Sequence, residues 1–149
     1  MEKRSYRIVS LGGGTNEMNG FIDQSDPIFI LAGYVKLLLQ FRTDIKLYHW
    51  QTKSFAHHKI SDELLGSIDD LSDKFVEAVC GVYNIRPVMS GQTIIIKNIT
   101  QVNEMVAEIR SVELELKKSS IVLNNSEIAN IRDELLGSMD KTLYLLSFE

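Results

Sequence analysis

The sequence predicts an all-α protein, a four-helix bundle made of two helical hairpins joined by a long connection. Three observations predict it. Four segments carry apolar residues at helical spacing, and three of them start at a capping residue. Of the 149 residues, 44% are apolar, enough for one core. Residues 62–69, "DELLGSID", return at 133–140 as "DELLGSMD", with seven of eight positions identical at an offset of 71. That offset lays the second helix on the fourth and the first on the third, as expected of a pseudo-two-fold bundle.

Residues 1–25 are expected to be a flexible N-terminal arm preceding a bundle domain over 26–149. The stretch "LGGGTNEMNGF" has no helical period and matches neither common phosphate-loop pattern. The first helix starts at Asp26 as cap and Pro27 as first residue, and runs to about Trp50. Leu31, Val35, Leu38 and Ile45 mark its inner stripe. The second is capped by Ser54 and runs to about Val82. Residues 84–98 form the connection, and the β-prone "TIII" within it can be extended. The third helix spans about Thr100–Leu123, with Val102, Met105, Val106, Ile109, Val112 and Leu116 inward. The fourth spans about Ser126–Phe148, capped by Asn125 or Ser126. One long connection between two hairpins is a feature of the ferritin-like bundle.

Charge and composition exclude several classes. The formal net charge of −4 argues against nucleic-acid binding by the whole surface. Lys3, Arg4 and Arg7 leave DNA contact through the arm as a further reading, beside that of a solvated terminus. The longest apolar run, "IFILAGYVKLLLQF", is shorter than a membrane span and contains Lys36, so no membrane partner is expected. A lone cysteine, Cys80, allows no intrachain disulfide and points to a reducing, cytoplasmic compartment, with a virion as the alternative. The N-terminus lacks the apolar region of a signal peptide.

The three histidines, His49, His57 and His58, fall within "YHWQTKSFAHHKISD". At about 100° per residue, with His58 at zero, Asp62 lies near 40°, Asp69 near 20°, Asp73 near 60° and Glu77 near 100°. The apolar residues Ile60, Leu64, Ile68, Leu71, Phe75 and Val79 lie on the other side. Gly66 shares the acidic side, and a mid-helix glycine costs roughly 1 kcal/mol. Close approach of another backbone accounts for it; a solvated face is the plainer reading of the stripe. His58/Asp62 and Asp73/Glu77 are centred roughly 22 Å apart along the axis, so one chain cannot close both pairs on one metal. Two antiparallel copies about a two-fold near Ser67 can, making two identical sites. One His with several carboxylates and open positions suits iron(II) or manganese better than structural zinc.

At these residues the chain resembles the Dps-type miniferritins. The resemblance rests on "YHW", on a histidine four before an aspartate, and on "DKFVE" with acids at i and i+4. It spans residues 27–83 and extends to the second hairpin by architecture alone. The wording "HWQTKSFAHHK" is also similar to uncharacterised ferritin-like proteins of phages and large DNA viruses. The resemblance implies a ferritin-like subunit of a homo-oligomer, a dodecamer in the Dps case, with two-fold contacts along the second helix. It implies iron(II) oxidation and iron storage, with His49, His58, Asp62, Asp73 and Glu77 as metal ligands. Of these, His58, Asp62, Asp73 and Glu77 carry catalysis, and manganese or zinc can substitute for iron. The segment between His49 and His58 is about three residues shorter than the family's usual pattern, which bears on His49. Residues nine apart on one continuous helix lie about 180° from each other, so His49 and His58 share a metal only across a break.

Other residues have plainer expectations: His57 at the surface, Trp50 as a packing anchor, Cys80 as a small buried side chain. Asp44 is the fallback for a site inside one bundle. The competing function is a metal-free structural or assembly subunit, for example of a viral or phage particle.

Overall fold

A computed structural model of the protein describes residues 26–118 and 120–148, and the expected arm lies outside them. Helix α1, Pro27–Gln51, starts as the sequence suggests: the Asp26 carboxylate accepts the Ile28 N–H at 2.9 Å and Pro27 needs no partner for a missing donor. Leu31, Leu38, Phe41, Ile45 and Tyr48 fill its inner face. Val35 is only half-buried, while Phe29, Leu39 and Trp50 are exposed on the outer side. Trp50 is 66% exposed and lies under Lys46, whose Nζ sits 5.2 Å from the ring centroid, so it does not anchor the core.

Helix α2, Phe55–Tyr83, is capped by Ser54, whose hydroxyl accepts the His57 N–H. It runs past Gly81 and stops at Asn84, which takes the left-handed conformation (φ 51°). A short polar side chain tolerates that conformation, and the Ile85 N–H then closes onto the Cys80 carbonyl at 3.1 Å.

The third predicted helix is two. Helix α3, Val102–Lys117, ends early, and a single turn, α4, follows at Ser120–Leu123. The Lys118 N–H tightens onto Glu115. The break lets Ile121 and Val122 turn into the core, which a straight continuation of α3 would not do. At the start of α3, the Glu104 carboxylate accepts the N–H groups of Thr100 and Gln101, each at 2.9 Å. These bonds hold its carboxyl below the ordinary value. Helix α5, Ser126–Leu146, is capped by Asn125 on the Ile128 N–H and ends just short of Phe148. Ser54 and Asn125, the caps of α2 and α5, stand at the same offset as the repeated octet.

The helices form a four-helix bundle in which α1 packs on α2, α2 on α5, α5 on α3, and α3 on α1. On α3, Glu115 accepts from the Tyr34 hydroxyl of α1, and Glu108 lies level with Asp44, so α1 and α3 run antiparallel. The connection 84–101 therefore returns along the length of the bundle. It contains no strand among the described residues, yet it is extended where it follows α1. The Gln40 amide binds both the N–H and the carbonyl of Ile95, at 2.8 and 2.9 Å, and Gln51 binds the N–H of Ile99 at 2.7 Å. Gln40 and Gln51 are roughly 16 Å apart along the helix. Four residues fully extended span roughly 14 Å. Only an extended chain reaches both anchors. No helix among the described residues is long and apolar enough to cross a membrane.

Candidate metal site at the α1–α2 corner

The site is built by the short link Thr52–Ser54. The Thr52 N–H closes the last turn of α1 on Tyr48, and the Thr52 hydroxyl accepts from the Ser54 N–H. Helix α2 then starts in the opposite direction, and residues nine apart in sequence come face to face. The imidazoles of His49 and His58 stack with centroids 3.9 Å apart and planes 24° apart. Nδ1 of His49 donates to the His58 carbonyl at 3.0 Å, and Nδ1 of His58 donates to the His49 carbonyl at 2.9 Å. A carbonyl can only accept, so both rings carry hydrogen on Nδ1, and in the neutral form both present Nε2 as a lone pair. Ser61 supports the pair by donating to the same His58 carbonyl at 2.9 Å.

Asp62 comes next to this pair. Its Oδ1 lies 3.9 Å from Nε2 of the buried His49. That is too long for a hydrogen bond. It is a separation that two ligand atoms can have when each sits about 2.1 Å from one cation. The two rings lie head to tail, each reaching toward the other residue's main chain, so their Nε2 lone pairs do not converge on one point. The Nε2 that faces a carboxylate is thus that of His49, the residue whose part the shortened link put in question. His58 holds it in place from one side.

The other two candidates lie elsewhere. Asp73 and Glu77 are exposed on α2, more than two turns beyond Asp62. Asp69, between them and the corner, pairs with Arg42 at 2.5 Å. Among the described residues, no three His, Cys, Asp or Glu side chains of one chain gather where they could hold a metal ion. Gly66 is exposed, and a Cβ added there would meet nothing within 4 Å, so nothing among the described residues of its own chain calls for glycine.

Two arrangements go beyond what sequence spacing suggests. His57 is half-buried, with Nδ1 2.9 Å from the hydroxyl of Tyr48, by the same nine-residue fold-back that stacks His49 on His58. Burial raises the Tyr48 phenol above its ordinary value. The second arrangement is inside the bundle. Asp44 is 1% exposed, accepts from Gln40 Nε2 at 2.9 Å and lies 3.3 Å from Lys97 Nζ. The same ammonium reaches Glu108 of α3 at 2.5 Å. Burial raises the Asp44 carboxyl above the ordinary value, with Gln40 and Lys97 pulling the other way. For Lys97, burial alone would lower the value, but the two carboxylates outweigh it and raise it. The position where Asp44 could have joined a metal inside one bundle thus holds an ammonium instead.

A protein-family model described as a family of unknown function (DUF5856) matches residues 49–146. No curated protein and no solved structure matches the chain. The match takes in the corner from His49 onward, the acidic stripe, the connection and the second hairpin, about two thirds of the chain, and the chain accordingly belongs to this family of unknown function, DUF5856.

Proposed function

We propose that the protein is a ferritin-like, Dps-type subunit that takes iron(II) as its substrate and oxidises it at sites shared between two-fold-related copies. The observation that carries this reading is the corner itself. A buried imidazole, locked by its Nδ1 contact, turns Nε2 toward the Asp62 carboxylate at a distance that leaves room for a cation. His58 and Asp62 lie on the same side of α2 as Asp73 and Glu77, which remain exposed for a second copy. In a pair of antiparallel α2 helices, Asp73 and Glu77 of one copy complete the corner of the other, twice over. Carboxylates are hard ligands and favour the iron(III) product over iron(II). With peroxide as oxidant, two iron(II) each give up one electron, the O–O bond breaks, and two protons complete two waters. Manganese or zinc would compete for the same ligands, and closed assembly into a shell would add storage.

A second reading, a metal-free assembly subunit, draws on the exposed Phe29, Leu39 and Trp50 of α1, which suit a protein interface. Iron(II) loading of the full chain, followed by ferric absorbance and native mass, separates the two. The miniferritin reading expects iron uptake that falls on His49→Ala, His58→Ala or Asp62→Ala. Assembly without uptake, indifferent to those changes, would establish the structural role.

A further inference from the structure

The extended part of the connection has one edge in use and one edge free. In an extended chain the N–H and C=O of a residue point to the same edge, and those of its neighbours to the opposite edge. Gln40 takes both main-chain groups of Ile95, so that edge faces α1. The main-chain groups of Ile94 and Ile96 therefore face away. Among the described residues they have no hydrogen-bond partner. The side chains along this stretch are exposed as well, Ile94 at 41%, Ile95 at 69% and Ile96 at 73%.

Exposed strand edges are ordinarily guarded by a lysine or a proline. Here neither does so. Pro87 lies well before the stretch, and Lys97 is drawn inward between Asp44 and Glu108. The stretch Gln92–Ile96 carries no charge.

We infer that this edge is a docking surface for the same edge of a second copy, forming an antiparallel two-stranded ladder about a two-fold axis through Ile95. The register follows from the free groups. Ile94 of one copy faces Ile96 of the other, and each such pair exchanges two main-chain hydrogen bonds. Ile95 faces its own counterpart in the non-hydrogen-bonded position between them. Lys97 then faces Thr93 and Asn98 faces Gln92, so no like charges meet across the ladder. The neutral, self-complementary edge is what selects a second copy as occupant. The surface is separate from the metal corner and stands whether or not iron is bound.

The test is a cysteine pair in the full-length chain with Cys80→Ser. Two residues facing each other in a non-hydrogen-bonded pair have Cα atoms about 4.5 Å apart, within the range that a disulfide bridges. Ile95→Cys is expected to give a disulfide-linked dimer under mild oxidation as the main product. Ile96→Cys is expected to give little, because its counterpart lies diagonally across the ladder and beyond about 7 Å. In the unmodified chain, amide exchange at Ile94 and Ile96 is expected to slow as protein concentration rises. Equal cross-linking at both positions would overturn the register, and with it the proposal. Absence of a dimer with Ile95→Cys would overturn it too. So would exchange at Ile94 and Ile96 that is slow at every dilution, which would mean that another part of the same chain covers the edge.

Discussion

His49 and His58 hold each other's main chain: each imidazole donates from Nδ1 to the other residue's carbonyl, and the rings stack between the two contacts. This exchange predicts the tautomer of both. In the neutral protein, nitrogen-detected NMR should find hydrogen on Nδ1 and a bare Nε2 at His49 and at His58. Hydrogen on Nε2 of His49 would remove the lone pair that the metal reading needs. His49→Ala should also loosen the corner, at about 1 kcal/mol for the main-chain hydrogen bond alone.

If two copies share each site, complementation has a definite arithmetic. A chain with His58→Ala and Asp62→Ala has lost one half of every site, and a chain with Asp73→Ala and Glu77→Ala the other half. Each alone should oxidise almost no iron(II). After dissociation and random reassembly of equal amounts, half of the dimers are mixed, and each mixed dimer has one intact site and one doubly damaged site. About a quarter of the wild-type activity should return, since an isologous pair makes two sites. No recovery would place both halves in one subunit's own chemistry, or in none.

Lys97 is expected to matter more at neutral pH than in acid. Lys97→Met leaves Asp44 buried without its cation. Because Lys97 is partly open to water, the loss at pH 7 should be roughly 2 kcal/mol, below the figure for a fully buried pair. The sign follows from the direction of the Asp44 shift. Its carboxyl is raised in the folded protein, so its contribution is fully present below the unfolded carboxylate value and is lost as pH rises through the folded one. Removing Lys97 raises it further and widens that loss. Denaturant unfolding of Lys97→Met should therefore approach wild type below about pH 4 and diverge toward neutrality. Asp44→Asn in the same chain should restore most of the difference at pH 7.

Gly66→Ala separates the needs of the subunit from those of the assembly. Nothing within 4 Å opposes a Cβ there, so helix propensity alone should raise the unfolding free energy of the isolated subunit by about 0.5–1 kcal/mol. If α2 meets α2 of another copy, the added methyl should also reduce native mass. A more stable chain with unchanged assembly would place Gly66 outside any contact.

The helix starts were legible because they rest on local chemistry: Asp26 before Pro27, Ser54 and Asn125 each act through their own side chains. The break after Lys117 was not, because lysine and serine are tolerated within helices, and only the burial of Ile121 and Val122 turns the chain there. At the corner, four-residue spacing put His58 and Asp62 on one side of α2. The stacking of His49 was invisible, since it depends on the path of a three-residue link. Tyr48 meeting His57 was hidden for the same reason. The Asp44–Lys97 pair joins a helix to an extended segment far along the chain, and no periodicity connects them. Trp50 misled because the size of an aromatic side chain says nothing of which side of α1 it occupies.

The return path of the connection sets an order of events during synthesis. Helices α1 and α2, with both partners of the His49–His58 clasp, are synthesised before the residues that neutralise Asp44. The Asp44 carboxylate on that hairpin still lacks its ammonium, because Lys97 and Glu108 have yet to be made. Until Lys97 is made, the face that α1 will bury carries a carboxylate with no cation beside it, and burial of that carboxylate as an anion is costly. Lys97 then supplies one ammonium to a carboxylate of each half, Asp44 on α1 and Glu108 on α3, so the connection ties the two hairpins by charge as well as by chain.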